Sequence, residues 1–180
     1  MSGLIDGVGG SLVKVGKETL TLSGAGNTYS GGTTLEQGAL DLAAVGAAGT
    51  GPVTFAGKAT LKVETAALSS RAFANPIDFF GKHDVLDLSG LKFHAGARAT
   101  YHKATHLLAV HSGRVTDTLT LLDPLGTHFA VANDKHGGTK VTLVPLATST
   151  HAVASLASHD VGAANVAAGN NHMSDFLFTA

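Results

Sequence analysis

The chain contains no cysteine, which removes disulfide bridges, thiolate metal sites and a cysteine nucleophile together. Aromatic residues are scarce, so a core has to be assembled in thin layers from Ala, Val and Leu. Charge of one sign is also lacking: 12 basic and 13 acidic residues leave a formal net charge of −1, and both kinds are scattered. The broad basic face that phosphate backbones demand is therefore missing, and nucleic acid is not expected as a partner. No apolar run approaches the roughly 18 to 20 residues that cross a bilayer, so no stable membrane span is expected. The opening MSGLIDGVGG has neither the basic n-region nor the apolar h-region of a cleaved signal. The expectation is either a piece of a longer protein or an export signal placed elsewhere, with the C-terminus as one location for it.

What the chain does have is rhythm. Between residues 11 and 64, Val13 and Val15 are followed by Thr33 and Leu35 and then by Val53 and Phe55, at steps of 20. Leu20 and Leu22 are answered by Leu40 and Leu42 and then by Leu61 and Val63, at steps of 20 and 21. Within each pair the residues stand two apart, the strand period, and Gly, Asn, Ser and Thr fill the intervals as turn residues do. A fixed repeat of about twenty residues made of short strands and turns marks a solenoid, whose coils bury one another's faces. The 23 glycines suit its many corners.

The run LVKVGKETLTLSGAGNTYSGGTTLEQGALDL resembles the passenger-associated repeat of autotransporter-type adhesins, matching on residues 20–24, 27–34 and 38–42. That resemblance implies a right-handed parallel β-helix and a protein that is secreted or held at the bacterial cell surface. After Glu64 the rhythm loosens: TAALSSRAFANP reads as a longer corner loop or a short helical turn, broken by Pro76. Alternation resumes in short segments from Ile77 to Leu143, with steps of 25 residues from Leu61 to Leu86 and 22 from Leu86 to Leu108. These segments are expected to continue the stack. Part of the same stretch, IDFFGKHDVLDLSGLKFHAGARATYH with the segments up to FAVANDKHGGTKVTLV, resembles a β-rich module of large secreted proteins from soil and plant-associated bacteria. That likeness implies extracellular localisation rather than an activity.

The expected architecture is all-β, a right-handed parallel β-helix of about five to seven coils with an irregular C-terminal cap or tail. Residues 1–146 form the β-helix, with regular coils over 11–64 and less regular ones over 77–144. Residues 147–180, rich in Ala, Ser, His and Asn and ending DFLFTA, form a cap, a tail or a secretion-signal segment.

Ten histidines are the most unusual part of the composition. His102 and His106 have the spacing that places two ligands on one helix face, but on a strand they would stand about 13 Å apart, too far to share one ion. Solvent-facing or stacked histidines are the ordinary alternative. Asp84 and Asp87, with Arg98 or Lys103 as the basic partner, have the residue types that β-helix polysaccharide lyases and epimerases use beside a uronate carboxylate. Turn capping is the ordinary role for such aspartates. Asp134 and His136 lie in NDKHGGTKV, which has the Gly-Gly of a calcium turn but in a single copy. No cofactor is expected, calcium being the one candidate. There is no phosphate loop and no Gly-x-Ser-x-Gly elbow.

The function expected is a non-enzymatic, adhesin-like segment or secretion and folding module. Its partners would be a glycan or other cell-surface ligand and the secretion machinery. Its alternatives are a lyase or epimerase of β-helix type and a calcium- or transition-metal-binding module.

Overall fold

The computed structural model describes residues 1–144. Four coils of a parallel β-solenoid come first, each giving one strand to each of two sheets. The first sheet stacks β1 (Leu12–Lys14), β3 (Thr33–Leu35), β5 (Val53–Phe55) and β7 (Ile77–Asp78). The second stacks β2 (Thr19–Leu22), β4 (Gly38–Leu42), β6 (Ala59–Val63) and β8 (Val85–Leu88). All these pairings are parallel. A third side, irregular in backbone, closes each coil.

The Leu-x-Leu pattern dictates the second sheet. Leu20, Leu40, Leu61 and Leu86 are register partners in turn. The expected steps of 20, 21 and 25 residues are therefore the real coil lengths. Leu40, Leu61 and Leu86 are completely buried, and Leu42, Val63 and Leu88 line the interior beside them. Each such side chain contributes about 1.5 to 3 kcal/mol by leaving water. The longest step holds a short 3-10 turn (Thr65–Ala67) and the loop through Pro76, where Ser70 and Arg71 take positive φ.

On the first sheet the expected register is one residue off. Thr33 and Leu35 pair with Leu12 and Lys14, not with Val13 and Val15, and both valines are exposed. Lys14 points inward and is 5% exposed. It is tolerated because its ammonium donates to three carbonyls, those of Val15 (2.9 Å), Gly16 (2.8 Å) and Gln37 (3.1 Å), so its three donors are satisfied. A hydropathy pattern favours Val over Lys at an inward position, and the corner carbonyls reverse that choice.

Asparagine ties the third side together. The buried Asn27 accepts from the Ile5 amide at 2.8 Å and donates to the Ala47 carbonyl at 2.7 Å, so one side chain links three levels of the stack. Asn75 repeats the device higher up, donating to the carbonyls of Gly49 (3.0 Å) and Gly51 (2.8 Å). Between them Tyr29 is buried, its hydroxyl 2.7 Å from that of Thr33. Gly49 has φ +69 against this ring, and a Cβ there would fall 2.5 Å from the Tyr29 carbonyl.

Past β8 the stack stops growing by coils, which corrects both the expected count of five to seven and the reading of the later strands. β9 (Arg98–His102), β10 (Leu107–Ser112) and β11 (Val115–Thr120) form an antiparallel meander. β12 (Phe129–Asn133) and β13 (Thr139–Leu143) form a hairpin, and β13 pairs antiparallel with β8. The physical reason is loop length. Only Gly113 (φ +62) and Arg114 separate β10 from β11, and so short a link can join antiparallel strands but not carry a parallel crossover. The meander docks on the fourth coil through Thr118, whose amide donates to the Arg71 carbonyl and whose carbonyl accepts from Phe73, both at 2.9 Å. Leu122 likewise donates to the Ile77 carbonyl at 2.9 Å. These elements cover the last strand of each parallel sheet, where unpaired backbone would otherwise invite another chain. The expected cap, tail or signal over 147–180 lies outside the described residues.

Candidate functional site

The outer face of the second sheet carries a row of alternating charge. Thr21, Asp41, Lys62, Asp87 and Lys140 are successive register partners across β2, β4, β6, β8 and β13. Each occupies the position next to an inward apolar residue, so the packing that stacks the leucines also stacks the charges about 4.8 Å apart. Lys62 bridges Asp41 at 3.1 Å and Glu64 at 3.3 Å, and Thr21 donates to Asp41 at 3.4 Å.

At the top of this row is a cleft of about 430 Å³ lined by Lys62, Asp87, Ser89, Asp134 and His136. Asp87 reaches it from β8, while Asp134 and His136 come from the loop between β12 and β13. In that loop Asp134 Oδ1 accepts from the amides of His136 (2.6 Å) and Gly138 (2.8 Å), and Lys135 takes φ +75. Burial pushes the Asp87 carboxyl above the usual carboxylate value, and the nearby Asp134 adds to the rise, against Lys62 and His136. The Asp87 Oδ1 is buried and has no hydrogen-bond partner among the described residues. The cleft therefore offers a carboxylate that holds its proton more readily than usual beside a second one, at most four carboxylate oxygens where calcium takes six to eight oxygen ligands.

Asp84 is placed elsewhere. It is buried at the corner before β8, where Oδ2 accepts from Gly81 at 2.8 Å and Oδ1 from Ala59 on the coil below at 3.2 Å. Burial raises its carboxyl and those two amides oppose the rise. This is the turn-capping role weighed for it in the sequence, extended to stitch two coils.

Neither Arg98 nor Lys103 lines the cleft of Asp84 or that of Asp87. They flank opposite ends of β9, and Lys103 faces a groove with Tyr101, His106 and Asp123. The carboxylate-and-base set expected of a lyase is thus not assembled from these four residues. His102 ends β9 and His106 (φ +56) closes the turn after it, with Nδ1 3.0 Å from the Leu122 carbonyl. The chain turns between them, so the extended spacing does not apply. Among the described residues no three His, Asp or Glu side chains gather as a metal-holding group, so His102 and His106 do not join Asp134 and His136. The residue that the sequence reading missed is Lys62. Its signal was present, since Asp41, Lys62 and Asp87 recur at the same steps of 21 and 25 as the leucines beside them.

The first two coils hold the inward Lys14, the TLTL strand, the buried Asn27 and Tyr29, and the Gly38 corner. Residues 12–42 match the passenger-associated-transport-repeat family. The match covers β1 to β4, about a sixth of the chain, and does not bear on the resemblance noted over 77–144. No curated protein and no solved structure matches the chain significantly. Within the matched residues the corner that Lys14 holds is closed by Gly38, at φ +72, where a Cβ would collide with the Gly16 carbonyl. Among the described residues no helix is long and apolar enough to cross a membrane.

Proposed function

We propose that the chain is a non-enzymatic, adhesin-like segment of a secreted or surface-displayed bacterial protein. The observation that carries this reading is the transport repeat seated on the first two coils of a parallel solenoid. A β-solenoid with short corners exposes long rows of side chains at one spacing, and such rows can engage an extended partner such as a glycan. The row from Thr21 to Lys140 is one of these. The lyase reading is weakened by the separation of Arg98 and Lys103 from both aspartates.

The test is retention. The full chain, displayed on a bacterial surface or immobilised, is expected to bind a subset of a glycan array or cultured cells above a surface carrying no protein. Absence of retention on every glycan and cell type would remove the adhesive role. Production of unsaturated uronate by the purified chain would replace it with a lyase.

A further inference from the structure

The second exposed cluster of charge has a different character from the alternating row. Three cationic side chains, Arg71, Lys92 and Arg114, and the imidazole of His94 meet with Ser112 and Thr116 around a cleft of about 530 Å³ that, among the described residues, no carboxylate lines. They come from three separate segments: the loop after the 3-10 turn, the loop after β8, and the two-residue link between β10 and β11.

Each is held in place by packing beneath it. Ser112 is 1% exposed, accepts from the His94 amide at 2.9 Å and donates to the Lys92 carbonyl at 2.7 Å, which fixes the stretch bearing both side chains. Arg114 follows Gly113, which packs so closely under the His94 ring that a Cβ would lie 2.9 Å from it. Arg71 sits in the left-handed region at φ +67, its carbonyl bonded to the Thr118 amide. Its Nε lies 2.8 Å from Asp117, a carboxylate that is 1% exposed and so lies behind the cleft wall. Among the described residues no ion pair engages Lys92 or Arg114.

Lys92 and Arg114 bring like charge to one cleft with no ion pair to either among the described residues, and Asp117 answers only the Arg71 guanidinium from behind the wall, so an anion in the cleft would relieve the remaining repulsion. Ser112 fixes the backbone that carries Lys92 and His94, and Asp117 holds the Arg71 guanidinium, so part of the ordering that binding requires is already in place. Arg98, opposite His111 on β10, with Thr116 of the cleft opposite His111 in turn, extends the positive surface away from the cleft. The track is thus longer than a single small anion. Apart from the imidazoles of His94 and His111, no aromatic ring on which nucleic-acid bases stack lines this track among the described residues. The volume lies in the range of sites that hold small ligands, and a sugar unit or two fits it.

We propose that this cleft binds the carboxylate or sulfate groups of an acidic polysaccharide, the two arginines gripping the anion and Lys92 and His94 flanking it. The choice of a carbohydrate carrier rests on the adhesive reading above; the anion site itself rests on the geometry. The full chain is titrated calorimetrically at low salt with oligogalacturonate, a sulfated oligosaccharide, neutral dextran and a single-stranded oligonucleotide of matched charge. Saturable binding of either acidic oligosaccharide is expected, weakening as salt rises, with dextran silent. K92Q/R114Q, both at exposed positions, is expected to weaken it at least tenfold, whereas K17Q/K58Q, the same charge change on a distant corner, leaves it intact. The proposal is overturned if neither acidic oligosaccharide binds, if both double variants lose binding equally, or if the oligonucleotide binds as tightly. Retention on a glycan array that survives K92Q/R114Q sinks the cleft and leaves the adhesive role standing.

Discussion

Asp87 shows how one side chain can report its surroundings. It faces Lys62 and Lys140 across the sheet, yet burial and the neighbouring Asp134 outweigh the attraction and raise its carboxyl. A raised carboxyl means that the folded chain binds its proton more tightly than the unfolded chain does. Its contribution is full below the unfolded value, about 3.9, and is lost as pH rises through the higher folded value. Asp87→Asn removes the charge and with it that loss. The variant is therefore expected to gain on the wild type as pH rises from about 4 towards neutrality, read as urea midpoints over a pH series. Parallel profiles for the two proteins would show that Asp87 is not perturbed. Lys14 carries the same lesson with opposite sign: an inward charge is accepted where three carbonyls converge on it.

At the scale of the strand, β6 separates two kinds of stabilisation on its two faces. Leu61 points into the stack and is completely buried, while Lys62 beside it bridges Asp41 with a third of its side chain exposed. Leu61→Ala removes packed volume from a layer that neighbours above and below cannot refill, and about 2 to 5 kcal/mol of stability is expected to go. Lys62→Ala breaks a pair screened on the lysine side only, since the Asp41 side chain is 10% exposed, and about 1 to 2 kcal/mol is expected, with Thr21 still donating to the carboxylate. Denaturant unfolding of the two variants measures both losses. If the lysine variant lost as much as the leucine variant, the charge row rather than the core would hold the coils in register. The charges lie in line because the leucines do, which makes the row a consequence of core packing.

For the whole molecule, the antiparallel elements decide where the parallel stack ends. The meander and the β12–β13 hairpin cover β7 and β8. A chain lacking residues 98–144 would present both strands bare, with their backbone donors and acceptors free for another copy. Such a truncation is expected to self-associate, seen as a rise in light-scattering mass with concentration. A monomeric, folded truncation would mean that the coils need no cover at that end. The meander also supplies one wall of the basic cleft, through Arg114, the loop between β8 and β9 and the loop after the 3-10 turn giving the other two.

The spacing of Leu20, Leu40, Leu61 and Leu86 was enough to determine the solenoid and its coil lengths, because a period-2 pattern recurring at a near-constant step has few other ways to bury itself. Asp84 as a turn cap was legible for the same local reason. Three things were decided only by tertiary structure. Val13 lost its inward place because carbonyls of a neighbouring corner satisfy Lys14, a contact across 23 residues. Leu108 and Val110 have the right alternation for a coil, but strand direction depends on the link that follows, and Gly113-Arg114 is too short to cross over. Arg71, Lys92, His94 and Arg114 share no motif or period, since a long corner, a loop and a hairpin link bring them together, and only the folded chain makes them neighbours.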